Sequence, residues 1–86
     1  MKYSGRTTVL IHGGGHSRTL SSAIGDSSLK VFYSRRFPSR GDILLTLPCD
    51  QVPLLEQTLD PYMHDDGIRI EDIGFFGGIN FLLGND

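Results

Sequence analysis

The sequence lacks several features that would place it in a specialised class of protein. It has a single cysteine and no tryptophan in 86 residues, so no disulfide can form within the chain, as is usual in a reducing compartment. Its net charge is −2, whereas proteins that hold DNA through its phosphates carry a positive excess. No apolar run approaches the roughly 20 residues of a membrane span, and none near the amino terminus has the length of a signal peptide, so we expect neither segment. These absences predict a cytoplasmic protein with no membrane partner and no direct binding to nucleic acid.

The composition favours one small domain built from short elements. A chain of 86 residues holds a single core, so we expect one domain over residues 1–86. Eleven glycines and four prolines favour many turns over a bundle of long helices. The charges are unevenly placed. Basic residues lie in the middle of the chain, at Arg18, Lys30, Arg35, Arg36 and Arg40. Acidic residues lie late, at Asp60, Asp65, Asp66, Glu71, Asp72 and Asp86.

The first half of the chain reads as strand, helix, strand. Residues 7–12 are β-branched and apolar and end at three glycines, which predicts a buried strand. Ser17 is placed to cap a short helix, in which Leu20 and Ile24 share one face and Gly25 ends it. Residues 29–37 alternate between two faces, which is the period of a strand.

The second half adds a strand, a helix and two more extended segments. A turn rich in Pro, Ser and Gly leads into a strand at 43–47. Asp50 is placed to cap a helix with Pro53 in its first turn, and Val52, Leu55 and Leu59 form one apolar face of this helix. Pro61 predicts that the helix ends near Asp60. A fourth strand covers 68–71, and the glycine pair at 77–78 predicts a final hairpin between two apolar segments.

In order, these elements predict an α+β fold of the ferredoxin-like βαββαβ type, with an extra C-terminal strand or hairpin. Helices would cover one face of the sheet. If residues 17–25 form a loop instead of a helix, the alternative is a mostly antiparallel β-roll with one helix.

The segment at residues 9–15 runs from an apolar strand into the sequence His-Gly-Gly-Gly. It resembles the oxyanion loop of α/β-hydrolases of the lipase and esterase kind. The resemblance implies a serine nucleophile in a Gly-x-Ser-x-Gly turn. The nearest segment, Gly-Asp-Ser-Ser at 25–28, lacks the second glycine, and the chain is too short for the eight-stranded hydrolase core. We therefore expect no enzymatic activity and no catalytic residue.

The glycine loop offers a second interpretation, in which backbone N–H groups at a helix start cradle a phosphate. The alternative site would combine this loop with basic side chains that match phosphate geometry. Its members are Gly13, Gly14, Gly15, Arg18, Arg35 and Arg36. A nucleotide or another phosphate compound would be the ligand. The Gly-x-x-x-x-Gly-Lys motif is absent, so a plain turn is the competing explanation.

Histidine and cysteine patterns predict neither a metal nor a cofactor. His12 and His16 are four residues apart, but the glycines between them disfavour the helix that would align their rings. His64 would have to come from another loop. Cys49 is expected to be a buried or half-buried structural thiol, because spacing supplies no histidine partner for it.

Large apolar side chains concentrate near the C-terminus. Phe75, Phe76, Phe81 and Leu83 exceed what one face of a small sheet can cover. An uncovered remainder predicts an interface, either in a homodimer or with a larger protein or nucleoprotein. We therefore expect a non-enzymatic binding protein that inhibits or modulates a larger partner by occupying its surface, of the kind that phages direct against host defence systems. Binding and sequestration of a small phosphate ligand is the alternative.

Overall fold

The computed structural model describes residues 5–85, and within them it shows a small α+β fold. Three helices accompany a four-stranded, open antiparallel sheet. Short 3₁₀ turns at Gly14–His16 and Cys49–Gln51 lead into the first two helices. The elements in chain order are β1 (Arg6–His12), α1 (Ser17–Asp26), β2 (Tyr33–Phe37), β3 (Asp42–Pro48), α2 (Val52–Asp65), β4 (Arg69–Asp72) and α3 (Gly74–Asn85).

The strands lie side by side in the order β2-β3-β1-β4. β1 and β3 form the centre, with Leu10 opposite Leu44 and His12 opposite Asp42. β2 joins β3 through a tight turn, and β4 pairs with the other side of β1. Both central strands are almost entirely buried, as expected for a sheet that is covered on both faces. β2 and β4 are therefore the two edges.

One face of the sheet is covered by α1 and α2. Leu20 and Ile24 of α1, and Leu55 and Leu59 of α2, are buried in the main core. Each pair lies four residues apart, so both side chains project from the same side of their helix. The predicted apolar faces of these helices are thus confirmed. The strand residues of this core are Val9, Ile11, Ile43, Leu45 and Leu47.

The opposite face of the sheet is covered by α3. Leu10, Leu44 and Phe37 point to this side and form a second apolar cluster. Phe81 and Leu82 of α3 pack against them. The helix follows β4 almost without a loop, so it must fold back across the sheet. No helix in the described residues is both long and apolar enough to cross a membrane.

The prediction of a C-terminal strand or hairpin is wrong, because residues 74–85 are helical. The pair Gly77-Gly78, which suggested a turn, lies inside the helix. A Cβ at Gly78 would lie only 2.5 Å from Thr8 Oγ1, so glycine is required there for close approach to the sheet. The helix covers most of the second face of the sheet, whereas a fifth strand would have extended the short β4 edge.

Other expectations also need correction. Ser17 and Asp50 do not cap α1 and α2, because His16 and Gln51 occupy the N-cap positions and neither makes a side-chain cap hydrogen bond. Gly25 lies inside α1, which ends at Asp26. The β-roll with one helix is wrong, since residues 17–26 form α1 and the described chain has three helices. α2 continues through Pro61 to Asp65, because Leu59 and the partly buried Tyr62 pack on the core on either side of the proline, and tertiary packing outweighs its local cost. β2 begins at Tyr33 rather than at residue 29.

Candidate interaction surface

The outer side of α3 carries apolar side chains with no cover in the described residues. Phe76 is 77% exposed and Leu83 is 73% exposed, and they lie two helical turns apart on the same side. Phe75 and Ile79 are each 41% exposed beside them. We call these four residues the α3 face. No charged residue lies between Ile73 and Asn85, so both sides of this helix are apolar.

The four residues predicted as an interface divide between the two sides of α3. Phe75, Phe76 and Leu83 are on the exposed side. Phe81 instead packs edge-on against Phe37, with ring centroids 5.2 Å apart, and helps to attach the helix to the sheet. The period of the helix, 3.6 residues rather than 2, decides which side each residue occupies.

An apolar groove of about 250 Å³ runs between α3 and one end of the sheet. Its floor contains Thr8, Leu44 and Thr46, whose side chains project from the central strands. The hydroxyl groups of Thr8 and Thr46 share a hydrogen bond of 3.0 Å, so the polar atoms of the floor are already satisfied. The helical wall is formed by Phe75, Gly78, Ile79 and Leu82.

The rim of the groove was missed by sequence reasoning. Phe32 and Tyr33 stand at the edge of the sheet and are both exposed. The Arg6 guanidinium lies over the Phe32 ring, 4.2 Å from its centroid, which is a cation–π contact. In the alternation of residues 29–37, Phe32 falls in the same set as the polar residues Lys30, Ser34 and Arg36. That pattern was the available signal for an exposed aromatic ring.

β2 is a basic edge. The segment 27–41 contains β2 and its turns, and between Asp26 and Asp42 it has four basic residues and no acidic one. Among the described residues, neither Lys30 nor Arg36 has a carboxylate within ion-pair distance. The outer edge of β2 has no strand neighbour in residues 5–85.

The glycine loop packs against the turn between β2 and β3. The Gly13 N–H donates a hydrogen bond to the Gly41 carbonyl at 3.0 Å. Gly14 and Gly41 have positive φ angles of 53° and 77°, and a Cβ on Gly41 would overlap the backbone of Gly14. Close approach between two turns thus requires glycine at position 41.

The residues of the alternative phosphate site are not all brought together. Arg35 and Arg36 are neighbours in β2 and so project from opposite faces of the sheet. The Arg35 guanidinium lies over the Phe37 ring, on the α3 side. Arg18 is exposed in the first turn of α1. His16 Nε2, at the start of that helix, is 3.7 Å from Asp66 Oδ1, so a carboxylate lies close to the loop. Phosphate binding stays the alternative interpretation of this loop.

The histidines lie beside carboxylates rather than beside one another. His12 has Asp42 Oδ1 3.5 Å from its Nδ1 atom and Glu71 Oε1 3.0 Å from its Nε2 atom. The two carboxylates therefore contact opposite sides of the ring and do not converge on one point. Nowhere in the described chain do three or more His, Cys, Asp or Glu side chains meet in a group that could hold a metal ion.

Asp72 and Cys49 lie in contrasting surroundings. Asp72 Oδ1 accepts hydrogen bonds from Thr7 Oγ1 at 2.6 Å and from the Gly74 N–H at 3.1 Å, so it connects β1 to the start of α3. Cys49 is an exposed free thiol, which corrects the expectation of a buried or half-buried one. It follows Pro48 and begins the 3₁₀ turn Cys49–Gln51, which connects β3 to α2. Its side chain is exposed at the surface there.

No protein-family model matches the chain, and a search of curated proteins gave no match either.

Proposed function

We propose that this chain is a non-enzymatic binding protein that docks onto a larger protein and inhibits or modulates it by occupying its surface. The α3 face, together with the groove beside it, is the docking surface. An anti-defence inhibitor of the phage type would belong to this class. We assign no catalytic residue and no cofactor.

The observation that carries this proposal is that α3 is apolar on both sides while only one side has a cover in the described residues. A helix without a polar face is normally buried all round. The sheet covers the side of Phe81 and Leu82, and the side of Phe76 and Leu83 is open. Contiguous exposed apolar patches of this kind mark interaction sites. A partner that closes over α3 would complete its burial.

The proposed architecture is the ferredoxin-like one, with α3 added to the second face. Its support is the strand order β2-β3-β1-β4 with antiparallel neighbours and the location of α1 and α2 on one side of the sheet. The two β-α-β units would then each have one strand of the other unit inserted between their strands. In this arrangement α3 covers the face that would otherwise be open.

A protein partner rather than a second copy of this chain is favoured by charge. Arg6 stands at the rim of the groove, where its guanidinium lies over the Phe32 ring. In a symmetric pair, the same patch on both subunits meets itself, which would bring two such cationic rims together. A partner with an acidic rim around an apolar centre matches the surface better, because complementary charge fixes partner choice.

Phe76 is the residue whose loss should matter most. A phenylalanine has roughly 200 Å² to bury, and at 77% exposure about 150 Å² remains for a partner to cover. At about 25 cal/mol per Å², this corresponds to about 4 kcal/mol. Association costs reduce the realised value, and buried aromatic anchors typically contribute about 2 kcal/mol or more, or about thirtyfold in Kd.

The test is capture of a stoichiometric partner from cells that encode the chain, followed by a binding measurement with that purified partner. We expect Phe76→Asp and Leu83→Asp to weaken binding at least about thirtyfold. Gln57→Asp is the matched control, because Gln57 is exposed on α2, on the opposite side of the sheet, and receives the same charge. It should leave the affinity unchanged.

Two results would overturn the proposal. One is a partner whose affinity is the same for Phe76→Asp and for Gln57→Asp. The other is a concentration-dependent dimer of the purified chain that Phe76→Asp dissociates, since the α3 face would then be closed by a second copy. Sedimentation of the purified chain alone decides the second point.

A further inference from the structure

We propose that the free edge of β2 pairs, main chain to main chain, with an acidic extended segment of the partner. Such a segment would add a fifth strand to the sheet and place an apolar side chain in the groove beside it. This inference rests on the proposed function, because it assumes a protein partner. It concerns the β2 edge, which shares the groove with the α3 face, and it can be tested separately because Phe76 and Leu83 of that face do not line the groove.

The edge itself is the first observation. β2 spans Tyr33–Phe37 and ends the sheet, and its pairing with β3 extends to Phe32, whose N–H donates to the Thr46 carbonyl at 2.8 Å. On the other side of β2, backbone groups point away from the sheet with no strand neighbour in residues 5–85. An open edge is a template for strand addition.

The positive charge of the β2 edge indicates which kind of strand would pair with it. The segment 27–41 carries four basic residues and no acidic one, within a chain whose net charge is −2. Lys30 and Arg36 form no ion pair within the described part of the chain. A second β2 would bring like charges opposite one another, which is destabilising in a sheet. An acidic strand would instead be attracted to this edge.

The directions of the β2 side chains predict which residues the added strand should carry. Tyr33 projects toward the α3 side of the sheet and lines the groove, whereas Arg36 projects toward the other side. Side chains directly opposite in paired strands are neighbours on the same face. The residue opposite Tyr33 should therefore be apolar, and the residue opposite Arg36, three positions away, should be acidic.

The probe is a labelled, capped peptide of eight residues in which valine and glutamate alternate, so that one face is apolar and the other acidic. A peptide with lysine in place of glutamate is the control. Fluorescence anisotropy with the whole purified chain should show at least about tenfold tighter binding of the glutamate peptide at low salt, and weaker binding at high salt.

Charge reversal at the edge tests the predicted contact. Arg36→Glu should weaken the glutamate peptide at least about tenfold and strengthen the lysine peptide. Arg69→Glu is the matched control, because Arg69 is exposed on β4, the opposite edge strand, and undergoes the same change of charge. It should leave the preference for the glutamate peptide intact.

Strand pairing is distinguished from charge attraction by two N-methylated glutamate peptides, which carry the methyl groups on alternate sets of amides. Only one set can donate to the β2 edge, so one peptide should lose binding and the other should retain it. Equal binding of the two would overturn strand pairing. Equal binding of the glutamate and lysine peptides, or of the wild-type chain and Arg36→Glu, would overturn the charge assignment.

Failure here is separable from failure of the proposed function. Phe76→Asp should bind the glutamate peptide as the wild type does, because Phe76 lies outside the groove, while losing the captured partner. If the purified chain self-associates in a way that Arg36→Glu abolishes, a second copy occupies the edge and the present inference is wrong.

Discussion

Substitution of Gly78 tests how α3 is held on the sheet. A Cβ at this position would lie 2.5 Å from Thr8 Oγ1 and 2.7 Å from both Thr8 Cβ and Cγ2. Ordinary contacts begin at 3.4 Å, so the shortest distance falls short by 0.9 Å. In Gly78→Ala the helix must therefore move away from β1, or β1 must shift beneath it.

Two opposing effects determine how much Gly78→Ala changes the free energy of unfolding. Alanine is favoured over glycine inside a helix by about 1 kcal/mol, whereas overpacking a close contact typically costs about 1–3 kcal/mol. Gly84 lies in the same helix, and a Cβ there would have no neighbour within 4 Å. Gly84→Ala therefore keeps the gain in helix propensity without the clash. This gain is smaller in the last turn of a helix than in its interior. We expect Gly78→Ala to be less stable than Gly84→Ala by roughly 1–3 kcal/mol.

The assay is urea unfolding followed by far-ultraviolet circular dichroism, which suits a chain without tryptophan. A double-mutant cycle with Thr8→Ala adds a second test, since this change removes two of the three close atoms. The cost of Gly78→Ala should be smaller in that background. Equal stability of Gly78→Ala and Gly84→Ala would show that α3 is not seated on Thr8, and the groove as described would then not exist.

Three other predictions concern the glycine loop and the thiol. Gly41→Ala should destabilise the protein by more than about 2 kcal/mol, because position 41 has φ of 77° and no room for a Cβ. Gly15→Ala, with open space around it, should change the unfolding free energy by less than about 0.5 kcal/mol; a similar loss in both variants would contradict the packing of the two turns. Calorimetry with mono-, di- and cyclic nucleotides should give no binding heat, and salt-sensitive binding that Gly14→Val eliminates would instead establish the phosphate site. The exposed Cys49 thiol should react with iodoacetamide in the folded protein, and Cys49→Ser should alter neither the melting temperature nor partner binding; protection of the thiol in the native state would refute its exposure.

Local patterns in the sequence determined most of the first 72 residues. The apolar run of β1, the turn before β3 and the paired leucines of α2 were each sufficient to predict their element and its buried side. These patterns are informative because helices and strands bury side chains at different periods. The concentration of basic residues around β2 is likewise a property of the sequence alone.

Tertiary structure alone decided the C-terminal helix and the surfaces that depend on it. A pair of glycines weakens a helix locally and is typical of turns, so Gly77-Gly78 indicated a hairpin. What stabilises a helix there is a partner surface supplied by residues 8, 10, 37 and 44, which are distant in the sequence. Glycine at 78 allows the helix axis to approach that surface closely. The cost of the glycine is local, whereas its benefit appears only once the sheet has formed.

The same reason explains why the groove and the exposed thiol were not predicted. The groove combines side chains of β1, β2, β3 and α3, and no local period reports how a helix crosses a sheet. Cys49 lies beside buried strand residues in the sequence, but the turn after Pro48 directs it to solvent. Sequence periodicity specifies which side of an element is apolar. Which apolar side then stays uncovered depends on the packing of elements against each other.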